Sequence, residues 1–374
     1  MPRLPPVLIS QAARLDRHLP LLLRECRDLN SARNELRWMQ EAVDEPQREG
    51  SIGTRSAGPH DHALASFVKR RARGEPIQYI LGTQPFGELD IKCRPGVLIP
   101  RPETEVYTTE LARIIQKVQV EAEATSKHCY IVDFCTGTGC IALLLHSLLK
   151  PPTPQQHGKF RQLRIRGFDI SQHALRLSAE NTHHNLELRA LHKDAVQDIC
   201  FEHLDLLALA QQPKEKIITT LYHKYEAQPL DLIVSNPPYI SPQQYKPGGS
   251  TTKSVRKFEP KLALVPPDSL LFDGVDQADQ FYAALIRIAV ASRARLLVVE
   301  VGDTEQALRV RDMCRAHQEA WIEIWKDDNT VVSDTGVPFD SRQGFEDRID
   351  ARVVAMWFDP EWIKWRKQSL VRRN

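Results

Sequence analysis

Asn236-Pro237-Pro238-Tyr239 is the stretch of this chain best equipped for chemistry. It follows a short apolar run, Leu230-Asp231-Leu232-Ile233-Val234-Ser235, that reads as a buried strand. Proline fixes its own φ and donates no hydrogen bond, and it holds the residue before it extended. The carbonyls of Asn236 and Pro237 therefore have few directions open to them, and the Asn236 amide sits beside them. The result is a set of fixed acceptors next to one flat ring, a slot suited to a planar group that carries an NH2. The alternative is a proline-rich turn with a buried tyrosine.

A second stretch upstream weighs against that alternative. Asp133-Phe134-Cys135-Thr136-Gly137-Thr138-Gly139 follows another strand-like run, Cys129-Tyr130-Ile131-Val132. Gly137, Gly139 and Ala142 make a G-x-G-x-x-A pattern, which nicotinamide and adenosylmethionine enzymes share. Glycines let the backbone approach a ligand, and the helix start offers free N–H groups to an anion. That anion is a pyrophosphate in a dehydrogenase and the methionine carboxylate in a methyltransferase. Asp169 ends the next predicted strand, where it is placed to accept both ribose hydroxyls. It lies farther along than usual, and an insertion over Lys150–Lys159 explains the excess. Asp194 is expected to end the third strand and accept from an adenine amino group. For both aspartates the alternative role is a helix cap. A glycine-rich strand-to-helix loop followed by this tetrapeptide resembles an amino-group methyltransferase that uses S-adenosylmethionine.

In such an enzyme the methyl sits on a sulfonium and needs no further activation. The acceptor is the obstacle, because an amide or aromatic amine nitrogen has a delocalised lone pair. Hydrogen bonds from its NH2 to the Asn236 side chain and the Pro237 carbonyl would hold it in line and favour a pyramidal, partly positive nitrogen. Tyr239 would stack on the flat group or wall the slot. Proton loss can follow methylation, so no strong general base is required, and the motif holds no His or Glu.

Composition narrows the field. The chain has 374 residues, enough for two domains, and 42% of them are hydrophobic, ordinary for a packed core. Lys and Arg total 50 against 48 Asp and Glu, a net +2, which gives no support to a large nucleic-acid footprint. Seven cysteines without a C-x-x-C pair suggest free thiols, and no metal is expected. Cys135 and Cys140 read as small residues in a tight turn. No apolar run approaches the roughly 20 residues that span a bilayer. Arg3, Arg14, Arg17 and Arg24 precede most of the acid, as in a mitochondrial presequence; alternatively, Leu19 to Val43 already belongs to the first helices.

Residues 15 to 80 read mostly as helices, and Lys69-Arg70-Arg71-Ala72-Arg73 reads as a solvated face or as a contact for an acidic partner or ribosomal RNA. Ile77 to Ile80 and Leu89 to Cys93 read as hairpin strands, with a turn at Arg94-Pro95-Gly96. Pro102 suits a first helical turn, and Tyr107, Leu111, Ile114, Ile115 and Val118 give that helix one apolar face. From Cys129 the pattern alternates strand and helix, the mark of a parallel sheet. Its strands are expected at 129–133, 163–169, 187–192, 230–235, 296–301, 321–325 and 353–358. Polar insertions are expected near 49–61, 150–159, 208–228, 242–258 and 333–347, with 242–258 a mobile segment over the site.

Taken together, the residues resemble the HemK/PrmC family, glutamine N5-methyltransferases that act on peptide-chain release factors. The likeness runs from about Arg71 to Val301. It includes Arg73-Gly74-Glu75-Pro76, Leu98 through Glu105, the glycine loop, Asp169, Asn236 through Tyr239, and Arg256-Lys257-Phe258-Glu259-Pro260. The Leu98–Glu105 segment discriminates most, because adenine methyltransferases with the same tetrapeptide lack it. The resemblance implies an α/β fold: a Rossmann-like class I S-adenosylmethionine-dependent methyltransferase domain with a mostly parallel seven-stranded sheet over 102–374. An N-terminal helical domain over 1–74 and a β-hairpin linker over 75–101 would precede it. It also implies that Asp133, Thr136, Gly137, Thr138, Gly139, Asp169, Asp194, Ala195 and Asn236 contact the cofactor, with Thr104 near it. Asn236, Pro237, Pro238 and Tyr239 would hold the substrate, with Asn236, Pro237 and Tyr239 catalytic. Cys135 stands where the family usually has glycine, and Ala195 where bacterial members often have an aromatic. The insertions look eukaryotic, which with the N-terminus implies a mitochondrial enzyme acting on the Gly-Gly-Gln glutamine of a class 1 release factor. The competing reading is an N6-adenine DNA or RNA methyltransferase that flips a base into the same slot, although no target-recognition domain is evident. A non-catalytic assembly factor and a dehydrogenase are further alternatives.

Overall fold

The computed structural model describes residues 3–44, 58–121, 128–152, 162–222, 230–269, 271–317, 320–328, 331–333 and 351–372. The first helices, Pro6–Leu15, Leu19–Cys26, Leu29–Asp44 and Gly58–Arg71, share a core that includes Ala12, Leu22, Leu36, Met39 and Val68. The basic cluster at the end of the fourth helix is half consumed: Arg70 pairs with Glu75 at 2.6 Å and Arg71 with Glu35 at 2.7 Å.

The hairpin is β1 (Thr83–Phe86) and β2 (Leu89–Lys92), paired antiparallel. Ile77–Leu81 is a helix, not the expected strand: Pro76 precedes it with ψ 138° and Gly82 ends it in the left-handed region at φ 89°. The hairpin packs into the core of the following domain, where Phe86, Leu89 and Ile91 join Leu144 and Tyr107.

The large sheet contains β3 (His128–Phe134), β4 (Gln162–Asp169), β5 (Ile199–His203), β6 (Leu232–Ser235), β7 (Leu296–Glu300), β8 (Trp321–Lys326), β9 (Val331–Ser333) and β10 (Ala351–Trp357). Their order is β5-β4-β3-β6-β7-β10-β8-β9. The pairs from β5 through β7 are parallel, while β10 runs antiparallel to both neighbours. Six of the seven expected strands are present, joined by β5 and a short eighth strand, β9. The order reverses between β3 and β6, the switch point where open α/β sheets bind ligands at their carboxyl ends.

Two further expectations change. The run 187–192 is not a strand: helix Gln172–Glu187 ends there and Arg189 turns the chain at φ 58°. The third strand is β5, preceded by the helical turn Ala195–Asp198. The stretch 208–222 is not a variable loop, because Leu206–Ala210 and Lys214–Tyr222 are helices that bury Leu209, Ile217 and Leu221. Segment 242–258 holds two short helices: Ser241 and Gln244 form a capping box at Pro242–Tyr245, and Thr252 caps Lys253–Phe258. Of the other insertions, residues 45–57, 153–161, 223–229 and 334–350 lie outside the described residues.

Helix Pro360–Val371 closes one face of the sheet through a buried ion pair. Arg366 donates to Glu323 at 2.9 and 3.1 Å, Trp325 Nε1 donates to the same carboxylate at 2.8 Å, and the guanidinium lies 5.6 Å from the Trp357 ring centroid. Removing one charge strands the other in the interior. We expect Arg366→Met alone to cost about 3–5 kcal/mol, and Arg366→Met with Glu323→Leu to cost less than half as much; urea denaturation of both variants checks this.

Candidate functional site

Two cavities meet at the carboxyl edge of the sheet. The first, about 500 Å³, is lined by Phe134–Thr138, Phe168–Ser171, Leu204–Ala208, Thr104 and Asn236. The second, about 570 Å³, is lined by Tyr239–Ser241, Gln244, Ser250–Thr252 and Gly302–Asp303. Leu98, Arg101, Asn236 and Ala263 border both.

The glycine loop takes its shape from three left-handed residues, Cys135 (φ 59°), Gly137 (φ 56°) and Gly139 (φ 79°). That conformation explains why glycine suits position 135, and why a cysteine there is strained by order 1 kcal/mol. Burial pushes the Cys135 thiol well above its ordinary value and the Cys140 thiol up to about 12. Both are therefore thiols, not nucleophiles. Asp169 lies in the first cavity's wall and accepts from Gly137 N at 2.9 Å and Ser171 N at 2.8 Å. It caps the loop, and each oxygen keeps a further lone pair for a ribose hydroxyl.

Asp133 sits beneath the loop rather than in the cavity wall. Its Oδ2 accepts from Thr136 Oγ1 at 2.6 Å, while Oδ1 is buried without a partner. Burial raises its pKa to about 7. Gly139 also stays out of the wall: a Cβ there would lie 2.9 Å from the side chains of Phe201 and Ser178.

Asp194 and Ala195 do not line either cavity. Asp194 pairs with Lys150 at 2.7 Å, which lowers its pKa, and Ala195 belongs to the hydrophobic core. The residue that follows the true third strand into the site is Asp205, whose Oδ1 caps Ala208 at 3.0 Å. A signal for it was present in Asp205-Leu206-Leu207, a cap before an apolar pair.

The tetrapeptide leaves β6 where Ser235 Oγ donates to Phe134 O at 2.8 Å, locking the two strand ends together. Asn236 is half-buried between the cavities and its Nδ2 donates to Thr104 Oγ1 at 3.3 Å. Pro237 and Pro238 are buried, and Pro238 faces the first cavity. Tyr239 walls the second cavity: its hydroxyl donates to Glu300 at 3.3 Å, and a Cβ on Gly302 would come within 3.0 Å of its ring. Burial drives the Tyr239 phenol far above its ordinary value. Glu300, at the end of β7, went unnoticed in the sequence because it shares no motif with Asn236. The segment Leu98–Glu105 reaches the site through Arg101, which donates to Glu259 at 2.7 Å; Ile99 N donates to the same carboxylate at 3.3 Å.

S-adenosylmethionine fits the first cavity by volume and by donor set. Small-ligand pockets run from about 300 to 1,000 Å³. Asp169 offers acceptors for a ribose. The first turn of helix Cys140–Leu149 offers amides without helical partners for a carboxylate, and Ile170, Leu206 and Phe281 offer apolar surface for a base.

No family model matches the chain. Among curated proteins it is similar to the "Mitochondrial MRF1 N(5)-glutamine methyltransferase MTQ1" of Saccharomyces cerevisiae, 32% identical over 71% of this chain and 68% of that one. It is similar to the "Probable MRF1 mitochondrial N(5)-glutamine methyltransferase mtq1" of Schizosaccharomyces pombe, 32% identical over 72% of this chain and 81% of that one. A "Release factor glutamine methyltransferase" of Pasteurella multocida is 38% identical over 54% of this chain and 57% of its own. Among solved structures, the hMettl16 catalytic domain in complex with the MAT2A 3'UTR hairpin 1 has a TM-score of 0.44 at 14% identity, covering 88% of this chain and 90% of that one.

Two predictions follow from the loop. The Asp133 carboxyl keeps its proton in the folded state between its ordinary 3.8 and about 7. Its contribution to stability therefore falls as pH rises through that window. Asp133→Asn removes this term, so the wild-type-minus-variant difference in unfolding free energy should decline across the same window in denaturant titrations. Gly139→Ala forces a Cβ against Phe201 in a left-handed residue and should cost about 1–3 kcal/mol by the same measurement.

Proposed function

The chain belongs to the release factor glutamine methyltransferase family, and on that premise we propose that it methylates the side-chain amide nitrogen of the glutamine in the Gly-Gly-Gln loop of a class 1 peptide-chain release factor. The observation that carries this reading is Asn236, bordering one cavity fit for S-adenosylmethionine and a second cavity lined by polar side chains. S-adenosylmethionine, when bound, supplies an electrophilic methyl group. Asn236 Oδ1 and the Pro237 carbonyl accept the two N–H groups of the glutamine amide and aim its nitrogen at the first cavity. Tyr239 walls the approach. The hydroxyls and amide of Ser241, Thr251, Thr252 and Gln244 line the second cavity with groups that suit a peptide backbone. No general base is needed, since the nitrogen sheds its proton after the methyl arrives. The Glu300 carboxylate borders neither cavity.

The reading extends to a mitochondrial matrix enzyme, supported by the two yeast relatives described as mitochondrial. Among the described residues no helix is long and apolar enough to cross a membrane. A nucleic-acid substrate is not part of this reading, because the Leu98–Glu105 segment that sets the family apart from adenine methyltransferases stands at the site.

Transfer of labelled methyl from S-adenosylmethionine to a purified mitochondrial release factor tests the reading. Label should appear on the wild-type release factor and vanish when its loop glutamine is alanine. Asn236→Ala should lower kcat at least about 100-fold, the scale for loss of one preorganised hydrogen-bonding group. Label on DNA or RNA adenine, with none on the release factor, would overturn it.

A further inference from the structure

An asparagine that receives an NH2 group must offer its oxygen. The two ends of its amide have nearly the same shape, so packing alone does not decide which end faces the slot. Atoms set back from the slot decide it here. Thr104 Oγ1 donates to Glu300 Oε2 at 2.6 Å. A hydroxyl has one proton to give. With that proton committed to the carboxylate, Thr104 can only accept from Asn236, which must present Nδ2 to it; the observed separation is 3.3 Å. Oδ1 is then left for the acceptor. The other Glu300 oxygen takes the Tyr239 hydroxyl at 3.3 Å. Thr104 is 2% and Glu300 1% exposed, so water does not compete for these groups. Glu300 is placed by the sheet itself, because β7 runs beside β6 with Ser235 opposite Val299. The next residue on each strand is Asn236 or Glu300.

We propose that Glu300 is a positioning residue: through Thr104 it fixes the direction of the Asn236 amide and so selects an amide NH2 over a carboxylate as the occupant of the slot. The inference rests on the reading of a glutamine acceptor given above. The relay has a polarity, carboxylate to hydroxyl to amide, and a neutral group at position 300 that can donate to Thr104 allows it to reverse. In the reversed state Asn236 offers NH2 to the slot, repelling glutamine and welcoming glutamate.

The test is a comparison of two ligands. The full-length protein is titrated with the release factor in its native form and with its loop glutamine changed to glutamate, alongside methyl-transfer kinetics on the native form. The wild type should bind the glutamine form at least tenfold more tightly. Glu300→Gln and Thr104→Val should each bring that ratio to within threefold of unity and lower kcat at least tenfold. Thr104→Ser, which keeps the hydroxyl, should restore the wild-type ratio. Thermal melting and S-adenosylmethionine titration confirm that each variant is folded and loads its cofactor. Should Glu300→Gln not fold, the Thr104 pair decides alone. Full discrimination in Thr104→Val would overturn the inference while leaving the glutamine reading intact. Absence of discrimination and of methyl transfer in the wild type would overturn that reading and the inference with it.

Discussion

The parallel register of β3, β6 and β7 is the constraint from which the site is built. Phe134 lies opposite Ser235 and Ser235 opposite Val299, so three strands end at one level. The glycine loop, the tetrapeptide and Glu300 therefore emerge side by side from a rigid, buried edge. The hydrogen bond from Ser235 Oγ to the Phe134 carbonyl reinforces that alignment at the last ladder pair. Each strand donates one function: the first shapes a cradle, the second an acceptor pair, the third a buried carboxylate. None of the three is useful at another register, since slipping a strand by one residue would turn every side chain to the opposite face.

Two cavities sharing Asn236 divide the labour. The first is lined by backbone turns and caps; Asp169 both shapes the glycine loop and offers acceptors to a ligand. The second is lined by the segment after Tyr239, whose two short helices are ordered by a capping box and the Thr252 cap. Arg101 and Glu259 tie the Leu98–Glu105 segment to that second wall. Arg101 and Glu259, 158 residues apart in sequence, thus meet in one ion pair.

Legibility in the sequence followed the strength of local signals. The helix after Pro102 was readable from period alone, and Tyr107, Leu111, Ile114, Ile115 and Val118 are all buried. The tetrapeptide and the glycine loop were readable because proline and glycine act through backbone geometry, which one residue controls. Ile77–Leu81 carries three β-prone residues, Ile77, Tyr79 and Ile80, yet Pro76 and Gly82 bound it as a helix. The run 187–192 looked like a strand, yet Arg189 adopts a left-handed turn there, and Ile199–His203 takes the place beside β4. Asp205, which follows β5, lines the first cavity, and Asp194 does not. Glu300 was invisible for a different reason: its partners lie 61 and 196 residues away in sequence, and only tertiary pairing brings them together.

In the function proposed above, Asn236 directs one methyl group to one amide nitrogen. Fragmentation mass spectrometry of a mitochondrial release factor, after incubation with this protein and S-adenosylmethionine, tests it most directly. A single added methyl is expected on the side-chain amide of the Gly-Gly-Gln glutamine, and none with Asn236→Ala. A methyl on any other residue, or one that persists in Asn236→Ala, would contradict it.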